Sequence, residues 1–209
     1  MKRLMMIVVV AAACGGGKTG PAKPGGDDPI AKCEGGDGKS CGQLGDKYRY
    51  GDTKNAPLAV SYLKKGCDLK YWQACSNLAH QYIMGEGVPQ DEAKANSLYD
   101  LACDHDLGGA CFSRALQHNR FLKDCDPIFH DPSTFKTPPE CTGKRQFAEG
   151  KRAIELLRKG CRLKDDESCK VVALYEKGAT NYDLHDDDLT ENNWLLPGPK
   201  DTEARYGDD

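Results

Sequence analysis

The chain lacks an apolar run long enough to cross a bilayer as a helix. Its only candidate, Leu4 to Ala13, has ten residues, where a spanning helix needs about 20. It lacks a basic excess as well. The 29 Lys and Arg are interspersed among 32 Asp and Glu, which excludes the cationic face of a nucleic-acid binder. Apolar residues are only 39% of the 209, with two Trp and five Phe. That is little for one large core but enough for a thin seam repeated between stacked units. No H-E-x-x-H, G-x-S-x-G or EF-hand loop occurs, which removes the commonest zinc, serine-hydrolase and calcium signatures. His80, His105, His118, His130 and His185 are isolated and read as surface or packed side chains rather than ligands. His185-Asp186-Asp187-Asp188 reads as an acidic solvated stretch rather than a cation site, so neither a metal nor a cofactor is expected. Gly15-Gly16-Gly17-Lys18-Thr19 resembles the end of a phosphate loop, but no strand precedes it and Ala12 holds the place of the first glycine.

What the chain has in excess is cysteine. Eleven are present, and four pairs share the spacing C-x7-C: Cys33/Cys41, Cys67/Cys75, Cys103/Cys111 and Cys161/Cys169. Cys67 to Cys103 and Cys75 to Cys111 are both shifts of 36 residues, a period typical of repeat architectures. Each pair would join the end of one helix to the start of the next across a short loop. Zinc sites prefer closer spacings with interleaved histidine, so disulfides are the better reading. Cys125 and Cys141 form a fifth candidate pair, leaving Cys14 over.

The unit between cysteine pairs reads as two helices around a turn. From about Gln73 to Met84 one helix runs into Gly85-Glu86-Gly87-Val88-Pro89, a left-handed stop followed by a breaker. Asp91 then caps a second helix with small or apolar Ala95, Leu98, Tyr99 and Ala102 at helical spacing. The same columns return as Ala59, Tyr62, Leu63, Gly66 and as Ala153, Leu156, Leu157, Gly160. In the first helices Leu44, Leu78 and Val172 share a column, as do Gly45, Ala79, Ala115 and Ala173. A small residue at that place lets neighbouring helices approach closely.

Leu78, Ala79, Tyr82, Gly85, Gly87, Val88, Asp91, Lys94 and Ala95 together resemble the Sel1-like repeat. The cysteine pair in each copy resembles its disulfide-bridged subgroup, the Helicobacter cysteine-rich protein family. The resemblance is strong over residues 67–111, weaker over 33–67 and interrupted over 112–169, where Arg114, His118 and later Glu176 replace the usual Leu or Tyr. It implies an all-α fold, a right-handed αα-hairpin solenoid of Sel1/TPR-like repeats stapled by disulfides. Cys103 to Cys161 is 58 residues, 22 more than the period. The extra stretch, about 121–143 and proline-rich, reads as an irregular loop stapled by Cys125 and Cys141. It is either a partner-contacting loop with Phe129-His130 or Phe135 at its tip, or a tolerated insertion.

Lys2-Arg3 and the apolar stretch to Ala13 form a charged and a hydrophobic region of signal-peptide type. Ala11-Ala12-Ala13-Cys14 resembles a bacterial lipobox, with Ala in place of the usual first Leu. This implies residues 1–13 as a lipoprotein signal peptide, lipidation of Cys14 and a flexible tether over 14–29. Gly15 after the cysteine leans toward outer-membrane sorting. The alternative is an ordinary secretory signal with Cys14 as a spare thiol. Residues 30–180 would be the solenoid and 181–209 an acidic C-terminal tail or cap, with Trp194-Leu195-Leu196-Pro197 as its apolar knot.

The expected function is that of a non-catalytic lipoprotein of the bacterial cell envelope, facing periplasm or surface. It would act as a repeat scaffold holding a protein or peptide of the envelope, attached to the membrane through Cys14. Exposed candidates for that surface are Gln43, Tyr48, Asn77, Gln81, Tyr82 and Gln117, although the tyrosines also suit a core. The alternative, from the family resemblance, is weak penicillin-binding or β-lactamase-like activity. Ser61-Tyr62-Leu63-Lys64 and Lys18-Thr19-Gly20 match S-x-x-K and K-T-G, but in the wrong order and with no Ser-Asp-Asn. A mitochondrial intermembrane-space assembly factor of the same repeat type is disfavoured by the lipobox and by the lack of an Arg-rich presequence.

Overall fold

A computed structural model describes residues 28–52, 54–126, 130–131, 133–177 and 196–197. Within these described residues eight helices follow in order: α1 Pro29–Glu34, α2 Gly38–Tyr50, α3 Ala56–Asp68, α4 Trp72–Met84, α5 Glu92–Asp104, α6 Gly108–Cys125, α7 Gly143–Arg162 and α8 Asp166–Glu176. No strand occurs among the described residues. Each helix packs on its chain neighbours, and α2 also touches α4, as α6 touches α8. The fold is the stapled αα-hairpin solenoid that the spacing predicted, with leading helices α2, α4, α6 and α8 and trailing helices α3, α5 and α7.

The junctions between hairpins are built alike. Cys33–Cys41, Cys67–Cys75, Cys103–Cys111 and Cys161–Cys169 are disulfides with Cα separations of 4.5–4.7 Å. Three residues after the first cysteine of each pair stands a left-handed residue: Gly36, then Lys70, Asp106 and Lys164 at φ 63°. The N–H of that residue bonds the carbonyl of the first cysteine in every copy, at 2.9–3.2 Å. The next N–H reaches one residue further back, to Lys32, Gly66, Ala102 and Gly160 at 3.0–3.1 Å. A left-handed L-residue costs about 1–2 kcal/mol, and two hydrogen bonds plus the covalent bridge hold it there. Asp37 and Asp165 then cap α2 and α8 through their side chains, whereas Tyr71 and Leu107 stand at the same place in α4 and α6 without a side-chain cap.

Within hairpins the caps follow the sequence. Asn55, Asp91 and Thr142 accept N–H bonds at the starts of α3, α5 and α7. Gly85 ends α4 at φ 69°, a conformation that favours glycine. The small-residue column works as close contact. A Cβ on Gly45 would stand 2.5 Å from Leu63 Cγ, and Ala79 and Ala115 are fully buried. Ala173 breaks the pattern. It is exposed, because this column faces the following trailing helix and none follows α8 among the described residues.

The insertion is less irregular than its prolines suggested. Relative to the second hairpin, α6 gains five residues, α7 seven and the connection only ten. Cys125–Cys141, at 5.3 Å between Cα atoms, clasps the ends of the two lengthened helices. His130 and Phe135 are half-buried and held within the loop. Their rings stack at 4.4 Å, and His130 Nε2 donates to the Asp124 carbonyl at 3.2 Å. Phe129 lies outside the described residues, as do residues 1–27, Cys14 included, and most of the tail. Of the tail's apolar knot, Leu196 is buried with Ala115, Ile154, Leu157 and Tyr175. Pro197 rests against Gly150, where a Cβ would come 2.3 Å from the proline ring.

Closing a loop of this size by a disulfide restricts the unfolded chain by about 2.5 kcal/mol. Replacing Cys103 and Cys111 together by alanine should therefore lower unfolding free energy by about that amount, more if the buried site fails to repack. Chemical denaturation read by circular dichroism checks it, and a loss below about 0.5 kcal/mol would contradict a stapling role.

Candidate functional site

The six candidate residues do not form one surface. Gln43 is exposed, and Asn77 is half-buried at the corresponding place of the next copy. Asn77 Nδ2 donates to Asp46 Oδ1 at 2.7 Å, a bond from α4 to α2. Arg49 approaches His80 Nδ1 at 2.5 Å, also between these helices. These two contacts mark the face along which leading helices line up. Tyr48 and Tyr82 point elsewhere, onto their own trailing helices. Tyr48 stacks on Tyr62 with centroids 5.6 Å apart, and Tyr82 carries Lys94 Nζ 4.6 Å above its ring. Gln81 is a correction. It is fully buried, its Nε2 donating to the Glu86 carbonyl at 3.3 Å. The turn after α4 folds over it, a placement that helical spacing alone does not reveal.

Ser61 and Lys64 of the S-x-x-K match lie exposed on α3. The Ser61 hydroxyl donates to the Leu58 carbonyl at 2.8 Å. Lys18-Thr19-Gly20 lies outside the described residues, as does the acidic stretch at His185.

Gln117 belongs to a different feature. It lines a pocket of about 310 Å³ between α5, α6 and the lengthened start of α7. In the first two hairpins the equivalent space is filled with apolar groups. There Leu44 and Leu78 stand where α6 has Arg114, and Tyr48 and Tyr82 stand where it has His118. In α5, Asn96 stands where α3 and α7 carry Val60 and Ile154. Glu149 occupies the place of the caps Asn55 and Asp91. Because α7 begins at Gly143, six residues before Glu149, that residue lies within the helix, and its carboxylate turns inward instead of capping.

The resulting polar cluster is closely bonded. His118, only 7% exposed, places Nδ1 2.5 Å from Glu149 Oε2. Arg152 reaches the other oxygen of Glu149 at 3.4 Å, and Arg114 Nε binds Asp100 at 2.9 Å. Burial lowers the His118 pKa, and Arg114 and Arg152 add to that, against the contrary pull of Glu149. The imidazole is therefore neutral at neutral pH, and its Nδ1–H donates to Glu149. At the outer rim Arg145 lies over the Phe121 ring at 4.5 Å, and Arg120 meets Glu92 at 3.6 Å. Four guanidiniums and three carboxylates line the pocket in all. The substitutions Arg114 and His118 were visible as breaks in the repeat columns. The cavity was not, because its third wall comes from a helix extension that the cysteine spacing hides.

The Sel1 repeat family model matches residues 38–71, 72–107 and 143–165. Over these three stretches the chain matches the Sel1 repeat. The interval between the second and third matches contains α6 and the insertion loop, and the pocket opens beside them. Cytochrome c oxidase assembly factor 7 of Xenopus tropicalis and factor 7A of Xenopus laevis are each 32% identical over 75 residues. The match covers 34% of this chain and 32% of each relative, so it spans about a third of their length. Among solved structures, a protective antigen present in uropathogenic Escherichia coli strains displaying an SLR fold aligns with a TM-score of 0.52 at 22% identity. That alignment covers 72% of this chain and 28% of the antigen's, and it shows the fold alone.

The neutral, buried His118 has a stability consequence. Its folded pKa lies below the ordinary 6.5, so as pH falls the unfolded chain takes up the proton first. Its contribution is intact above pH 6.5 and is lost below it. Thermal midpoints of His118→Gln and the parent should therefore converge on acidification through that window. A gap that stays constant from neutral to acidic pH would contradict the assignment.

Proposed function

We propose that this Sel1 repeat protein is a non-catalytic scaffold of the bacterial cell envelope, lipid-anchored at Cys14, that holds a protein or peptide along its leading helices. The observation that carries the binding role is a row of side chains at the ends of those helices. Tyr50 is 65% exposed and Met84 57%, and they occupy the same place in successive copies, with Arg120 at that place in the third. Large apolar groups repeated on one edge of a stack suit a partner that runs across the repeats. Arg49 braces Tyr50, its guanidinium 4.5 Å from the ring centroid. Stapled junctions fix the spacing of the row before any partner arrives, which lowers the ordering cost of binding.

Support for the anchor comes from the sequence: the lipobox-like Ala11-Ala12-Ala13-Cys14, and a cysteine count that leaves Cys14 outside the five disulfides. Five disulfides also suit an oxidising compartment. The non-catalytic reading is supported by the solvent-facing positions of Ser61 and Lys64, away from the pocket.

A photo-crosslinking residue at Tyr50 or Met84, in cells carrying the full chain, should give discrete adducts that the same residue at Lys64 does not. Adducts of equal yield at all three positions would remove the binding role. Radiolabelled palmitate should label the parent chain and not Cys14→Ser, and label retained in the variant would remove the anchor. Purified protein should leave nitrocefin intact, and turnover abolished by Ser61→Ala would overturn the non-catalytic reading in favour of β-lactamase-like chemistry.

A further inference from the structure

The leading helix α6 and the trailing helix before it, α5, place polar side chains where their sister copies are apolar, and three of these substitutions converge. Arg114, His118 and Asn96 replace a leucine, a tyrosine and a valine or isoleucine column, and all three line the same pocket. Two of them are accounted for internally, Arg114 by Asp100 and His118 by Glu149. Asn96 is not. Its Oδ1 is buried and has no hydrogen-bond partner. Turning the amide over would put the amino group in that place, so a buried polar atom stays unanswered in either orientation.

The pocket rim is unanswered in the opposite sense. Arg145 lies over Phe121 and has no carboxylate bonded to it among the described residues. The contact of Arg120 with Glu92 is long, at 3.6 Å, and both side chains are more than half exposed, so it exchanges readily with another carboxylate. Glu149, the deep carboxylate, is already held by His118 and Arg152. What is left at the rim is Arg145 and the loosely held Arg120, with the exposed carboxylate of Asp124 at its outer side, above a buried acceptor. A group that satisfies both presents an anionic oxygen pair close to an N–H, and a peptide does so at an acidic residue or at its C-terminus.

We propose that this pocket receives a carboxylate from an extended peptide, with Arg145 and Arg120 taking the carboxylate and Asn96 accepting a peptide N–H. The proposal rests on the peptide-scaffold reading above and names the chemistry of the partner. Guanidinium forks suit this task because they meet both oxygens of a carboxylate at once. The Phe121 ring under Arg145 keeps its guanidinium oriented.

The test uses the full-length, disulfide-intact protein and short acetylated alanine peptides as probes. One pair ends in glutamate amide or glutamine amide, and a second pair has a free or an amidated C-terminal alanine. Binding is followed by NMR through the Asn96 side-chain amide and the Arg145 Nε–H. Peptides with a carboxylate should move both signals and their neutral counterparts neither. The pair that responds identifies whether a side chain or a chain terminus is read. Arg145→Gln, an exposed position, should weaken binding by about tenfold or more, and Arg158→Gln, whose partners are Glu176 and Tyr175, should leave it unchanged. Asn96→Ala should weaken peptide binding further than it weakens binding of acetate. Inorganic phosphate bound as tightly as the acidic peptides would reduce the pocket to a general anion seat and overturn the proposal, as would no response to any peptide at millimolar concentration. Crosslinks from Tyr50 and Met84 that persist while the Asn96 signal stays still would remove this assignment alone and leave the scaffold reading in place.

Discussion

Everything in this molecule depends on the clasped turn between hairpins. A disulfide, a left-handed residue and two backbone hydrogen bonds recur there in four copies, and they fix the angle at which each leading helix leaves the preceding trailing helix. Glycine occupies the left-handed position once, and lysine or aspartate does so three times. That choice costs about 1–2 kcal/mol at each of the three, which the bridge and the two hydrogen bonds offset. The buried sulfurs then act as core. The core between α3 and α6 contains Cys67, Cys75, Cys103 and Cys111 beside Tyr99 and small alanines, which explains how a chain with few large apolar residues still closes its interior.

With the junctions fixed, variety is confined to the hairpins, and the third one shows what that allows. Lengthening α6 by five residues and α7 by seven leaves the neighbouring junctions unchanged, because the clasp at Cys161–Cys169 has the same geometry as the others. The extension carries Arg145 and Phe121 past the end of the ordinary repeat and lets Glu149 change from a capping position to an interior partner of His118. A cavity with buried polar walls is thus tolerated in a protein whose other hairpins are packed with alanine, leucine and tyrosine.

How much of this could be read from the residues varies by element. The all-helical solenoid, the pairing of the C-x7-C cysteines, the stop at Gly85 and the cap at Asp91 were all legible, because each rests on local spacing and local chemistry. The left-handed turns at Lys70, Asp106 and Lys164 were not, since no side chain there advertises the conformation. Helical spacing puts Gln81 on the surface, whereas its burial depends on the Gly85-Glu86-Gly87 turn covering it, a contact outside the helical wheel. The insertion reads as a loop in the sequence because its four prolines cluster at the centre, while its ends continue α6 and α7. Arg114 and His118 registered as irregularities, and only the position of α7 turns them into the walls of one pocket.

The disulfide-clasped junctions have a further consequence for how the protein would come apart. Among the described residues each bridge joins neighbouring helices and none ties distant hairpins together, so reduction at one junction is felt by its immediate neighbours and leaves the other bridges in place. Such a molecule yields link by link, like a jointed chain, and a damaged end segment could be lost while the remaining links kept their shape.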